Sequence, residues 1–157
     1  MQKNPYAEPL GGRDPLQALG DTPDKIREVV SQWSDAQWNS SYEPGKWTGR
    51  EILVHLAQSE LALTTRVRFA LSEPAYRAQP FSQDAWMANE SGADGRTALD
   101  AYLALRRLNV LLFRSLTPEQ RHRTFQHPEY GELTPEWVAA QLAGHDLHHL
   151  AQLKRIV

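Results

Sequence analysis

The stretch TPEWVAAQLAGHDLHHLAQLKR, residues 134–155, reads as one helix whose inward face is interrupted by histidines. Thr134 supplies a cap, and Pro135 fits the first helical position, where an N–H would have no partner anyway. Steps of four and three along the helix pick out Val138, Leu142, His145, His149, Gln152 and Ile156, an apolar seam with three polar side chains in it. Residues four apart sit about 6 Å along the axis and about 40° around it, so His145 and His149 can grip one ion. The zinc-protease motif H-E-x-x-H uses the same spacing. Here Asp146 stands where its glutamate would be and Leu147 follows, so a protease of that kind is a poor reading.

Working outward, Thr48 and Glu51 form the capping-box pattern T-x-x-E, which predicts a second helix extending to about Leu71. Its stripe, Ile52, His55, Ser59 and Ala62, adds another imidazole on an apolar face. One such histidine alone is ordinarily a core residue with a satisfied hydrogen bond. Two more at ligand spacing on another inward stripe shift the reading to a single divalent transition-metal ion held by His55, His145 and His149. Three protein ligands leave coordination positions open, the pattern of catalytic rather than structural sites. Such an ion lowers the pKa of bound water or thiol, so a hydroxide or thiolate nucleophile is expected. Ser59 and Ala62 are small and leave room for a pocket. Gln152 is expected to orient a ligand imidazole or a bound water, and Asp146 or Glu51 to accept a histidine's outer N–H.

The other candidates divide by position. His148 lies beside the stripe, where support of a ligand and plain surface exposure are both open. His122 and His127 fall in an expected loop and read as solvent-exposed. Arg106 lies between Leu103 and Val110 on the third helix's stripe. There, snorkelling to the bundle end is preferred over meeting an anionic substrate group. Trp33, Trp38, Trp47 and Trp137 read as packing residues, and Trp86 as lining a pocket mouth.

The remaining chain supports an all-α domain spanning residues 1–157. Residues 1–21 are read as an irregular lead-in. Thr22 and Pro23 then start a first helix carrying Ile26, Val29, Val30 and Trp33, and Ser34 with Gln37 starts a short turn. The segment SEPAYRAQPFSQDAWMANESGADG, residues 72–95, is a long crossover between helices two and three. A third helix is expected from about Arg96 to Ser115, then a short turn at Thr117 and Pro118 and an irregular stretch or small hairpin over residues 122–133. Four helices around one core is the economical architecture.

Seventeen Lys and Arg against 19 Asp and Glu give a net charge of -2, which offers no field for nucleic acid. The amino-terminal stretch lacks the apolar run of a signal peptide, and no segment has transmembrane length, so no membrane partner and a cytoplasmic location are expected. With no cysteine, a metal must take imidazole, carboxylate or water.

The runs PGKWTGREILVHLAQSE (44–60), PFSQDAW (80–86) and HPEYGELTPEWVAAQLAGHDLHHLAQL (127–153) resemble the DinB-like, or YfiT-like, family, whose members carry the label of metal-dependent hydrolase. The similarity runs from about residue 23 to 156, and the H-x-x-H-H-x-x-Q ending with the upstream W-x7-H is its most specific part. It is the helical-bundle family of that name, not the DNA polymerase. The resemblance implies an up-down-down-up four-helix bundle, often a homodimer, with His55, His145 and His149 binding zinc, nickel or a similar ion. It also implies a small-molecule substrate with a low-molecular-weight thiol as precedent, since relatives include bacillithiol S-transferases and mycothiol-dependent isomerases. The expected function is metal-dependent activation of water or such a thiol, in a hydrolase or thiol S-transferase. The alternative is a non-catalytic metal or ligand-binding module of a stress response.

Overall fold

A computed structural model describes residues 3–156. In chain order these form α1 (Ala7–Leu10), α2 (Pro15–Val30), α3 (Asp35–Trp38), α4 (Gly49–Ser72), α5 (Gln83–Asn89), α6 (Gly95–Ser115), α7 (Pro118–Arg121), a hairpin of β1 (Phe125–His127) and β2 (Gly131–Leu133), and α8 (Pro135–Leu153). The long helices α2, α4, α6 and α8 make a four-helix bundle, and the others decorate its ends and sides.

Side-chain oxygens set the starts. Thr48 Oγ1 accepts from Glu51 N while Glu51 accepts from Thr48 N at 2.8 Å, which closes the expected capping box of α4. Ser34 with Gln37 and Thr117 with Gln120 repeat that device at α3 and α7. Asp94 caps α6 through the N–H groups of Arg96 and Thr97, and Thr134 caps α8 through that of Trp137. Each removes one or two unsatisfied donors from a helix end.

The first helix differs from its expectation. It starts at Pro15 under an Asp14 cap, so with α1 the supposed lead-in holds two helical stretches, and Pro23 lies inside α2. An internal proline deprives the carbonyl four residues earlier of its donor, ordinarily a reason to end the helix. Here that carbonyl belongs to Leu19, and the Arg106 guanidinium donates to it at 3.3 Å. A long-range contact therefore repairs the break.

Neighbouring contacts fix the directions. Along α4 and α6, Arg50 reaches Ala93, Glu60 meets Arg106, and Arg68 meets Asn109, so these helices run parallel. Against α8 the order reverses: Gly49 lies by Ile156 and His55 by His145, making α4 and α8 antiparallel. Leu19 shares one core cluster with Phe113 and Leu142 while Ile26 and Val30 share the other with Ala98, Tyr102 and Leu153, so α2 runs antiparallel to α6 and parallel to α8, which completes the up-down-down-up connectivity. The 72–95 crossover is long because parallel neighbours need a return path.

Two apolar clusters form the core. One joins Leu63, Val67, Phe113, Trp137 and Leu142; the other joins Ile26, Ile52, Leu56, Tyr102, Leu150 and Leu153. Between them α4, α6 and α8 all bury polar side chains: His55, Gln58, Ser59 and Glu60 on α4, Arg106 and Asn109 on α6, and His145, Asp146 and His149 on α8. That buried polar layer holds both the histidines and an ion-pair network.

Candidate metal centre

Helix α4 carries His55 in the polar layer, and α8 carries His145 and His149; all three are buried. The His55 and His145 Nε2 atoms lie 2.8 Å apart, and those of His149 and His145 3.1 Å apart. One ligand atom from each residue fits within a 4.8 Å group. Zinc bound tetrahedrally at about 2.0–2.1 Å spaces its nitrogen ligands about 3.3 Å apart, close to this arrangement. Burial pushes the His55 pKa down to about 4 and that of His149 to about 3, and lowers His145 well below the ordinary value. Neutral imidazoles at pH 7 present lone pairs, which suits a metal ion.

The outer nitrogens have different partners. His149 Nδ1 lies 2.7 Å from Gln152 Oε1, so Nδ1 carries the proton and Nε2 is left as the lone pair pointing at the cluster. Gln152 is held in turn by donation to Tyr42 Oη at 3.1 Å and lies 3.0 Å from His148 Nε2. His148 is exposed beside the cluster, with its ring 5.1 Å from that of His149. His145 Nδ1 lies 4.0 Å from Asp146 Oδ1, and both atoms are buried without a hydrogen bond. Glu51 takes no part, being held in the α4 cap.

Behind His145 runs the ion-pair network. Arg106 donates to Glu60, to Asp146 Oδ2 at 2.5 Å and to Leu19 O at 3.3 Å. Tyr102 Oη donates to Asp146 Oδ2 at 2.7 Å, and Asn109 Nδ2 to Glu60 Oε2 at 2.7 Å. Arg106 thus stays in the bundle instead of snorkelling outward, because two buried carboxylates from α4 and α8 compensate its charge. Burial raises the Asp146 pKa, and the Arg106 guanidinium opposes that rise.

Two cavities meet at the cluster. A cavity of about 190 Å³ is lined by Tyr6, Ser59, Arg66, His127 and Tyr130 as well as His55 and His145. A second, of about 290 Å³, lies against Trp47, His148, His149 and Gln152. The space expected beside Ser59 is present. Trp86 does not line it: Trp86 packs edge-on against Phe81 at 4.8 Å, and Phe81 stacks over His55 at 6.3 Å. Trp47, read as a packing residue, instead lies 4.7 Å from the His55 ring.

Three residues of the site escaped the sequence reading. Tyr6, from the supposed irregular lead-in, sets its ring 5.0 Å from His145. Arg66 and His127 are buried, although His127 was expected in a solvent-exposed loop. The burial of Phe125 and His127 around an exposed Gln126 is the alternation of a strand, a signal too short to trust over three residues.

A helical bundle bearing a cluster of three neutral imidazoles from two helices defines a class of metal-site proteins. The sequence pattern of the DinB superfamily matches residues 18–153, and the chain belongs to that superfamily. It is 29% identical over 144 residues to a Bacillus subtilis protein named "Putative metal-dependent hydrolase YfiT", covering 90% of this chain and 81% of that one. A similarly named Oceanobacillus iheyensis protein is 28% identical, with 83% and 76% covered. The solved structure of YfiT, described as a probable metal-dependent hydrolase with an unusual four-helix bundle topology, superposes with a TM-score of 0.83 at 28% identity, over 90% of this chain and 83% of that one. A mycothiol-dependent maleylpyruvate isomerase shares the fold, with a TM-score of 0.70 at 13% identity, over 88% of this chain and 59% of that one. The relatives' names and the three-histidine cluster fit a metal-dependent activity.

Proposed function

We propose that His55, His145 and His149 bind one divalent metal ion, zinc or nickel, and that the protein is an enzyme acting there on a small molecule with water or a low-molecular-weight thiol as nucleophile. The observation that carries this reading is the convergence of three neutral Nε2 atoms at the meeting point of two cavities. When bound, such an ion supplies Lewis acidity that brings the pKa of water or a thiol toward neutrality. The chain's own residues do the rest. Gln152 fixes the tautomer and ring plane of His149. Asp146, anchored by Arg106 and Tyr102, stands behind His145. Tyr6, Trp47 and Phe81 wall the cluster.

The choice of a thiol follows the isomerase of similar fold, whose name specifies mycothiol dependence. A second copy of the chain is the proposed partner, through α6, where Leu108 and Leu111 are 57% and 64% exposed. No helix among the described residues is long and apolar enough to cross a membrane, and a cytoplasmic setting is part of the proposal.

A second reading has its own support: among the described residues lining both cavities, Glu129 is the sole carboxylate, so no acidic general base stands at the cluster. That favours a non-catalytic metal or ligand-binding module. Elemental analysis of untagged protein, with turnover of a low-molecular-weight thiol and chlorodinitrobenzene, separates the readings. The enzyme reading expects near-stoichiometric metal, measurable turnover, and loss of both in His149→Ala. Metal without turnover of that pair or of simple esters selects the binding module. Full turnover by metal-free His149→Ala defeats the mechanism.

A further inference from the structure

The bundle buries two arginines in its polar interior, and their surroundings differ. Arg106 is 2% exposed and contacts both Glu60 and Asp146. Arg66 is 7% exposed and has no carboxylate within ion-pair distance among the described residues; its guanidinium donates to Gln79 O at 2.8 Å. Buried cations are ordinarily paired, because an uncompensated charge in a low-dielectric site is costly. Arg66 lines the 190 Å³ cavity beside His55 and His145. Glu129, at the exposed rim of the same cavity, partly offsets its charge without forming an ion pair.

His127 lines that cavity too, and its hydrogen bonds fix its tautomer. Nδ1 accepts from Glu129 N at 3.2 Å and from Tyr130 N at 3.3 Å, which leaves the ring proton on Nε2. Nε2 is buried with no acceptor. Desolvation and the Arg66 charge lower the His127 pKa, so the ring is a neutral donor at pH 7. A buried guanidinium without a carboxylate and an imidazole N–H without an acceptor therefore line one small cavity.

A buried guanidinium with no paired carboxylate, beside a buried imidazole N–H with no acceptor, calls for a ligand acceptor carrying negative charge. We propose that Arg66 and His127 form an anion subsite that holds the carboxylate of a small substrate while its reacting part lies against His55 and His145. The substrate class is a compact carboxylic acid, and this assignment rests on the cavity being the substrate site of the proposed function. Arg66 is a binding residue here and His127 a second donor to the same group. The planar fork of Arg66 suits the two carboxylate oxygens.

The probe is benzoate, with benzamide as its neutral analogue of similar shape, titrated into full-length protein stripped of metal by chelator, so that a carboxylate has no ion to bind. Binding is followed by isothermal titration calorimetry in every protein and, where His127 is retained, by the nitrogen-15 resonances of its ring. Saturable benzoate binding at least about tenfold tighter than benzamide is expected, as a charge-assisted hydrogen bond would give. The same benzoate affinity is expected in His149→Ala, and a weakening of about tenfold or more in Arg66→Gln. Equal affinity for benzoate and benzamide overturns the subsite. So does an affinity that survives Arg66→Gln but is lost in His149→Ala, which would place the carboxylate at the cluster. If Arg66→Gln does not fold, the wild-type preference for benzoate and its loss in His127→Phe decide for or against the subsite in its place. Failure of the subsite leaves metal content and thiol turnover untouched, whereas a protein that binds no metal would still bind benzoate.

Discussion

At the scale of single residues, burial decides what the histidines do. Their native pKa values, about 4 for His55 and about 3 for His149, lie below the value of about 6.5 expected in an unfolded chain. Between those limits the unfolded state binds more protons than the native state, so unfolding free energy falls as pH falls. Their contribution is complete above about pH 6.5 and is lost progressively as pH falls to about 4 for His55 and about 3 for His149. In excess chelator, the urea midpoint is expected to drop between pH 7 and pH 4.5 by an amount worth on the order of a few kcal/mol. His55→Phe should flatten that slope, and a midpoint indifferent to pH would contradict the burial argument. His55, His145, His149 and Gln152 were legible as candidates because helical spacing needs no tertiary information. His127 was not, since its burial comes from outside its own segment: Ala78 N donates to Gln126 O at 2.8 Å and Gln126 N to Tyr76 O at 3.1 Å, so the crossover covers the hairpin edge. Arg66 was missed for the same reason, as its hydrogen-bonded carbonyl, that of Gln79, lies in the crossover.

At the scale of elements, caps made the helix starts readable and long-range contacts made the exceptions. Helix α2 begins eight residues before its expected first position, Pro23, because Arg106 replaces the donor that this proline lacks. Helix α1 depends on a close approach. A Cβ at Gly144 of α8 would overlap Tyr6 O, so glycine is what allows the amino-terminal segment to dock with Tyr6 beside His145. In an isolated helix Gly→Ala would add stability of about 1 kcal/mol. Here Gly144→Ala should cost about 1–3 kcal/mol instead, as an overpacked contact does, and should free residues before Pro15 for limited proteolysis. A variant more stable than wild type and equally protected would show that α1 is not docked there.

At the scale of the whole molecule, the connectivity brings α4 beside both α6 and α8, so one helix serves the histidine cluster on one side and the Arg106 network on the other. The exposed leucines of α6 then lie away from the cluster's cavities, on a face free to meet a second copy. Sedimentation equilibrium is expected to give a dimer for wild type and a monomer for Leu108→Glu with Leu111→Glu, with metal content unchanged. A wild-type monomer, or a dimer that persists in the double variant, would remove this face as the interface.

Local grammar in the amino-acid sequence was enough to determine α4, α6 and α8, the caps at Thr48 and Thr134, and the three inward-facing histidines, because capping and helical periodicity act within a few residues. Tertiary structure alone decided that Arg106 stays inside with two carboxylates, that α2 runs through Pro23, and that Tyr6, Arg66 and His127 join the cluster's cavity. Each of these depends on desolvation and on partners distant in sequence, and neither can be counted until the chain has folded.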